Sequence, residues 1–155
     1  MNINLETLIS DSEIATETAL TLSLPWEVGG VQIPPPSAGA IIALEAIQSP
    51  FVTECEDFKI VDFYRALYCI YDSQEACRLI FSCAQIMEQY ERLKDDRILE
   101  YYTVKIDNYN QQITEFIAIL DNFDYFAEVQ NLMQYIKLSM AGFEMIRSEK
   151  KTTDK

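Results

Sequence analysis

The segment GGVQIPPPSAGAIIALEAIQSPF, residues 29–51, organises the rest of this chain. Its glycine pair can adopt positive φ angles and therefore predicts a tight turn. The three prolines that follow lack backbone N–H groups, so no central strand can continue through them. Ser37 is suited to cap a helix, and Pro50 ends that helix because the residue before a proline avoids the α region. The segment thus predicts a turn, a short strand, a rigid connection and a helix of small residues.

Upstream of the turn, residues 18–24 place leucines at every second position. This period of two predicts a half-buried strand that Pro25 ends. Residues 26–28 then lead into the glycine turn, and residues 31–33 return as the second strand. The predicted hairpin therefore spans residues 18–33, with its strands paired either within one chain or between two chains. An isolated hairpin is marginal in water, so it must pack against helices or another chain.

Downstream of Pro50, apolar residues recur at steps of three and four, which is the spacing of amphipathic helices. We predict four helices here, with caps or starts at Asp57, Asp72, Arg97 and Asp121–Asn122. Asp72 and Glu75 should form a reciprocal capping box. With the helix after Ser37, the predicted fold class is mainly α, a helical bundle of about five helices preceded by a small β-hairpin.

One domain accounts for most of the 155 residues. We assign it residues 18–146, with the hairpin at 18–33 and a helical body at 37–146. The acidic residues 1–17 are expected to form either a frayed turn of helix or a mobile terminus, and the apolar-free tail 147–155 is expected to be mobile.

The net charge of −13 is unevenly distributed along the chain. Residues 1–58 contain nine acidic residues and neither lysine nor arginine. A surface of this sign repels phosphate backbones, so we expect no nucleic-acid partner. The charge serves either solubility or the recognition of a basic partner.

The cysteine pattern predicts a reducing setting. The four cysteines contain no C-x-x-C pair, and no signal-peptide pattern precedes them. No apolar run approaches the roughly 18 residues that span a bilayer. We therefore expect an unprocessed cytoplasmic protein without a membrane partner.

The absence of histidine limits the available chemistry. It removes the commonest general base, the usual nucleophile pairs and most zinc sites. The acids at 54–57 and 95–96 could in principle hold a divalent cation, but their spacing does not fit an EF-hand loop and favours solvated loop charges. We expect no catalytic, cofactor-binding or metal-binding residues, and so no enzyme and no cofactor.

Apolar residues are better candidates for function, as contacts to a partner protein. Trp26, beside the glycine turn, either covers the core or contacts a partner. Gly39 lies between two alanines, and we expect a bulky residue there to damage partner binding more than folding. The tyrosines of the long helix (Tyr101, Tyr102, Tyr109) suit either a core or an interface. The predicted partner-binding residues are Trp26, Gly39, Ile41, Phe126, Met133 and Met140.

The last helix carries a regular apolar repeat. Its positions alternate by three and four like the a/d seam of a coiled coil, although packing in a bundle core explains the same spacing. These positions are Phe126, Val129, Met133, Ile136, Met140 and Phe143.

Two motifs resemble a known family. IPPPSAGAIIALEAIQSPF followed by DFYRALYCIY, within about residues 18–90, is similar to the tail assembly chaperones of long-tailed bacteriophages and prophages. The resemblance implies a hairpin, a proline-marked first helix and a helical body. It also implies binding to the hydrophobic tape measure protein in the host cytoplasm, which keeps that protein soluble during tail assembly, and it implies no catalytic residues.

The expected function is therefore a non-enzymatic chaperone or adaptor of phage-tail assembly that binds a tape measure-like helical protein. The alternative is a structural or regulatory protein that self-associates into a homo-oligomer through its final helix. An enzyme is the third reading, and it lacks positioned catalytic partners.

Overall fold

The structure, a computed structural model, describes residues 26–53, 55 and 57–153, with side chains as far as Phe143. In that part of the chain, two antiparallel strands precede six helices. The predicted mainly α bundle with an N-terminal hairpin is confirmed, and α2 is an additional short helix. The elements are β1 (Trp26–Val28), β2 (Val31–Ile33), α1 (Ala38–Ala46), α2 (Pro50–Thr53), α3 (Ile60–Tyr71), α4 (Ser73–Leu93), α5 (Asp96–Ala118) and α6 (Tyr125–Thr153).

The glycine pair forms the predicted tight turn. Its φ angles are +55° at Gly29 and +82° at Gly30. Positive φ at both central residues is the geometry of a two-residue type I′ hairpin. Val28 lies opposite Val31, and Trp26 lies opposite Ile33, so the two described strands pair within one chain.

The first described strand lies directly beside the glycine turn. The expected strand at residues 18–24 lies outside the described residues, and β1 covers Trp26–Val28. The sequence predicts a connection at these three residues, and the structure shows that they are paired. A type I′ turn needs only two residues, so pairing starts directly at Val28. The alternation persists here, because Trp26 and Val28 are buried and Glu27 is exposed.

The hairpin is fixed to the segment before α6 and to α6 itself. The Asp121 N–H donates to the Gly29 carbonyl at 2.7 Å. The Trp26 indole N–H donates to the Glu128 carboxylate at 2.8 Å. Its ring stacks on Tyr135 with 4.6 Å between the ring centroids. These contacts join the first described element of the chain to the last helix.

Helix α1 begins as predicted. The Ser37 hydroxyl accepts a hydrogen bond from the Ala40 N–H at 3.1 Å, which confirms the N-cap. The buried face of α1 then consists of Ala40, Ile41, Ala43 and Leu44.

Helix α1 ends before the predicted Ser49–Pro50 boundary. Gln48 adopts a left-handed φ of +53°. Its N–H donates to Glu45, and the Ser49 N–H donates to Leu44, at 3.0 and 2.9 Å. This pair of bonds is a Schellman motif, which stops the helix two residues earlier than proline alone would.

Local capping explains most of the other helix boundaries. The Asp72 carboxylate accepts from the Glu75 N–H at 3.2 Å, as predicted. The reciprocal half of the capping box is absent among the described residues, since the Glu75 carboxylate accepts from Arg78 instead. Helix α3 starts after Lys59, and not at an Asp57 cap, because Asp62 accepts from the Lys59 N–H at 2.9 Å.

Two further helices start a few residues away from their predicted positions. Asp95 caps α5 by accepting from the Arg97 N–H at 3.0 Å. Asp124 caps α6 in place of Asp121 or Asn122, accepting from the Ala127 N–H at 3.3 Å. The Asp121 N–H instead donates to the Gly29 carbonyl of the hairpin. Helix α6 continues to Thr153, beyond residue 146 where we expected the helical body to end.

The core lies where α1, α3, α4 and α5 meet. The α4 and α5 helices are joined by two residues and pack along each other, while α1 packs across α4. From α6, a buried stripe faces this assembly. The largest fully buried apolar side chains are Phe63, Leu44, Leu67, Leu132, Ile136 and Val28.

Candidate functional site

Two of the predicted partner-binding residues are core residues. Trp26 is 5% exposed and Ile41 is 6% exposed. The hydrogen bond to Glu128 and the stack on Tyr135 satisfy the indole within this chain. Of the two roles considered for Trp26, covering the core is the one that fits its position.

Gly39 faces α4 and not the hairpin. A Cβ built on this residue would lie 3.8 Å from the Cys77 sulfur, an ordinary van der Waals distance. The Cys77 thiol donates to the Gly39 carbonyl at 3.3 Å. The space beside Gly39, which has no side chain, is therefore filled by α4 of the same chain.

The repeat on α6 faces mainly inward. Val129 and Ile136 are buried, and Met133, Met140 and Phe143 pack against the core. Phe126, the first position of the repeat, does not face inward and is 79% exposed. The buried stripe passes instead through Leu132 and Ser139, which the six-position seam did not include.

Two adjoining cavities are lined by residues that make none of the hairpin contacts described above. Both are lined by Ile47, Ile106 and Tyr109, so they adjoin each other, and we call the pair the groove. We call the two parts the apolar cavity and the polar cavity. The groove runs between the end of α1 and the facing sides of α3, α4 and α5.

The apolar cavity has a volume of about 230 Å³. Besides the shared residues it is bounded by α1, α4 and the first half of α5, and Ala84 is exposed at its wall. Its other lining residues are Ala46, Ile80, Cys83, Ala84, Met87 and Tyr102. This lining suits an aliphatic side chain.

The polar cavity has a volume of about 220 Å³. Besides the shared residues it is lined by Ser49, Asp62, Arg65 and Asn110. Asp62 and Arg65 are one helical turn apart on α3, so the cavity wall carries one carboxylate and one guanidinium. In the part of the chain that the structure describes, the two groups do not approach within 4.0 Å as an ion pair.

Four buried side-chain polar atoms lack a hydrogen-bond partner among the described residues. Two of them, the Arg65 Nε and the Tyr109 hydroxyl, belong to residues of the polar cavity. The Cys69 thiol lies close to the Tyr109 hydroxyl, but the pair falls outside hydrogen-bond geometry. The other two atoms are the Tyr68 hydroxyl and the Ser139 hydroxyl.

Burial fixes the protonation of the groups around this cavity. It raises the pKa of Tyr109 far above its ordinary value, and the neighbouring Cys69 raises it further. Burial likewise raises the pKa of Cys69 to about 12. Both groups are therefore neutral at pH 7, Tyr109 as a hydroxyl that can donate and Cys69 as a thiol that is not nucleophilic.

Sequence reasoning found only part of this site. It named Tyr109 as a residue of either a core or an interface, and the structure places it in the core, where it lines both cavities. Sequence reasoning missed Arg65. Its one indication in the sequence is that a basic residue interrupts the otherwise apolar run DFYRALYCIY. In the described residues, no group of three cysteine or acidic side chains has a metal-binding arrangement. Glu54 and Glu56 lie outside the described residues.

No protein-family model matches the chain, and neither a characterised protein nor a solved structure is similar enough to match it. Among the helices of residues 26–153 that the structure describes, none is both long and apolar enough to cross a membrane.

Proposed function

We propose that this protein is a non-enzymatic binding protein that holds an apolar helical segment of a partner, as a tail assembly chaperone does for a tape measure protein. The observation that carries the proposal is the groove formed by the two adjoining cavities. Each cavity is smaller than the roughly 300–1,000 Å³ of a typical small-molecule pocket. Each is therefore suited to one side chain or main-chain group of a larger partner.

The surroundings of the groove support a helical partner. Helix-in-groove recognition uses anchors at steps of three and four, which are spaced along a groove of this kind. A further apolar side chain, Leu99, is 38% exposed on α5, one helical turn before Tyr102. It can extend the contact beyond the cavities.

The acidic charge and the family resemblance supply the biological role. A net charge of −13 keeps a complex with an apolar segment soluble through repulsion between complexes. The layout of hairpin, prolines and first helix is the part of the chain that resembles the phage chaperones. Both features favour a holding role in the host cytoplasm.

Self-association remains the competing proposal, and it has less apolar surface available. Of the six seam positions on α6, Phe126 is exposed and the other five are buried or packed on the core. Light scattering of the purified protein at high concentration distinguishes the two proposals. A monomer excludes self-association, and a stable dimer favours it.

Co-expression with apolar helical fragments of a tape measure protein tests the proposal. We expect the wild-type chain to raise the soluble fraction of such a fragment and to co-purify with it. Ala84→Lys places a long charged side chain at the wall of the apolar cavity and should abolish co-purification. Gln85→Lys, at the neighbouring exposed position of α4, is the matched control and should bind like the wild type. Insoluble fragments with the wild type, or equal binding by both variants, would contradict the proposal.

A further inference from the structure

A second apolar surface lies where the first turns of α3 and α6 meet. It is built around the ring of Phe63, which is fully buried. The Tyr125 and Tyr64 rings pack edge-on against Phe63, with 5.2 and 5.3 Å between the ring centroids. The Phe123 ring lies 6.1 Å from Phe63 and 6.5 Å from Tyr64. Phe126 extends this cluster outward, because its ring centroid lies 5.7 Å from that of Tyr125.

The outer side of the cluster is open to solvent. Among the described residues, Phe126 is the most exposed large apolar side chain. Ile60 and Val61 lie one helical turn before Tyr64 and are 62% and 39% exposed. We call the outer side chains the aromatic patch, and they are Ile60, Val61, Tyr64, Phe123, Tyr125 and Phe126. Neighbouring exposed apolar side chains mark an interaction site, whereas singly scattered ones do not.

The backbone that carries the patch is held in place by the fold. Asp124 caps α6 by accepting from the Ala127 N–H. The Asp121 N–H donates to the Gly29 carbonyl, which fixes the segment before α6 to the hairpin. A surface that is already ordered loses less conformational entropy when a partner binds to it.

The charges around the patch indicate the chemistry of its partner. Residues 57–64 and 119–128, which carry the patch, contain five acidic residues and one lysine, a net charge of −4. Burial raises the pKa of Tyr125, and the nearby Tyr64 and Asp62 raise it further, so an acid lies close to the rings. The next base on α3, Arg65, lines the polar cavity instead. Aromatic faces and carboxylates both attract cations.

The same charges disfavour the other occupants. A second copy that docked patch to patch would bring a further −4 to the interface, and residues 1–25 contain four acids and no base. Nucleic acid and anionic lipid are repelled in the same way. A protein segment with basic and apolar side chains complements the patch in both respects.

We propose that the aromatic patch binds a segment of a partner protein that carries lysine or arginine side chains beside apolar ones. The apolar side chains pack against Ile60, Val61 and Phe126, and the cations lie over the aromatic rings, close to Asp62. None of the six patch residues lines either cavity of the groove. The inference therefore goes beyond the proposed function and does not depend on it.

The test uses an amphipathic peptide of leucine and lysine as the probe, added to the full chain with labelled isoleucine methyl groups. We expect a saturable shift of the Ile60 signal in NMR spectra, and its affinity should fall as salt is raised. Phe126→Ser should weaken this binding by at least about tenfold, the effect of an aromatic hot spot. Leu93→Ser is the matched control, because Leu93 is 58% exposed but precedes α5, whereas Phe123 and Phe126 follow it. It should change the affinity by less than about twofold.

Two further measurements test the charge and the location of the site. The same peptide with glutamine in place of each lysine should bind more weakly. Asp124→Asn keeps a side chain that can cap α6 and should weaken binding of the lysine peptide by about two- to fivefold. Equal affinity of the two peptides would overturn the basic partner, and equal binding by the wild type and Phe126→Ser would overturn the patch.

The position of the shifts separates this inference from the proposed function. An Ile60 shift that follows protein concentration without peptide would overturn the inference, because it would place a second copy on the patch. Shifts confined to Ile47 and Ile106 would also overturn it and would leave the proposed function standing. A shift at Ile60 that Phe126→Ser weakens supports the inference, even where tape measure fragments fail to co-purify and the proposed function fails.

Discussion

The hairpin contacts and the groove residues differ in how their buried polar groups are paired. At the hairpin side, the Trp26 indole has Glu128 as an acceptor, and the Gly29 carbonyl has the Asp121 N–H as a donor. At the groove side, the Arg65 Nε and the Tyr109 hydroxyl have no partner among the described residues. The first pattern stabilises the fold, whereas the second leaves two buried polar atoms unsatisfied next to the groove.

Left-handed backbone shows the same contrast. At the hairpin the positive φ angles belong to Gly29 and Gly30, which adopt them without steric cost. At the groove Gln48 adopts φ +53° between Ile47 and Ser49, two residues of the cavity walls. Lys94 adopts a similar φ of +52° at the end of α4, so the left-handed Gln48 serves the end of its helix. Substitutions at the two places should therefore have different effects on stability.

Gly29→Ala should have the largest effect on stability. Its Cβ would lie 2.6 Å from the Asp121 carbonyl oxygen, and its φ of +55° disfavours any side chain. We expect a loss of about 3 kcal/mol in the free energy of unfolding from strain and overpacking together. Thermal unfolding measures this loss. Gly30→Ala is the control with a smaller expected effect, because the atom that it meets is the Asp121 side-chain carboxylate, which can move. Equal losses in the two variants would contradict the close backbone contact.

Trp26→Phe should destabilise the protein by about 2 kcal/mol. The substitution removes the hydrogen bond to Glu128 and reduces the aromatic stack on Tyr135. Urea unfolding of Trp26→Phe, Glu128→Ala and the double variant measures the coupling between the two residues. Additive effects would show that the indole and the carboxylate do not interact.

Alkaline pH should weaken the groove side of the bundle. The pKa of Cys69 is raised to about 12, so the folded protein keeps a proton that the unfolded chain releases from about pH 9. Stability is therefore fully present below that pH and falls as the pH rises toward the folded pKa, by at most about 1.4 kcal/mol per pH unit for one such group. Urea unfolding at pH 7 to 11 measures the slope. Cys69→Ala should reduce the slope relative to the wild type, whatever its effect at pH 7, and an unchanged slope would contradict the assignment.

Gln48→Gly should have the smallest effect and the opposite sign. Glycine relieves the left-handed strain at this Schellman position, so we expect a gain of about 0.5–1 kcal/mol. Glu45→Gly, in the interior of the same helix, should instead cost up to about 1 kcal/mol. Thermal unfolding measures both changes. A loss of stability in Gln48→Gly would contradict the prediction, because it would show that contacts of the glutamine side chain stabilise the fold by more than the backbone strain destabilises it.

Local sequence signals predicted the parts of the fold that are determined locally. The Ser37 and Asp72 caps and the glycine turn depend on neighbours within a few residues, and they are confirmed. The connection expected at Trp26–Val28 was wrong, because a two-residue I′ turn lets strand pairing start directly at Val28.

The candidate site depends on tertiary packing and could not be predicted in the same way. Arg65 and Tyr109 are far apart in sequence and share a cavity only because α3 and α5 pack together. The α6 repeat could not be assigned from spacing alone either. The repeat includes Phe126, which is exposed in the structure, and omits Leu132, which is buried. A helical period gives a face of the helix, and the neighbouring helices determine which residues of that face are covered.

A methyl NMR map of the full chain tests the central claim most directly. A co-purifying apolar helical fragment is added, and the isoleucine methyl signals are compared between the two sides of the bundle. We predict large shifts at Ile47, Ile80 and Ile106, which line the groove, and unchanged signals at Ile33 and Ile136. Shifts confined to Ile33 and Ile136, with the groove signals unchanged, would contradict the account.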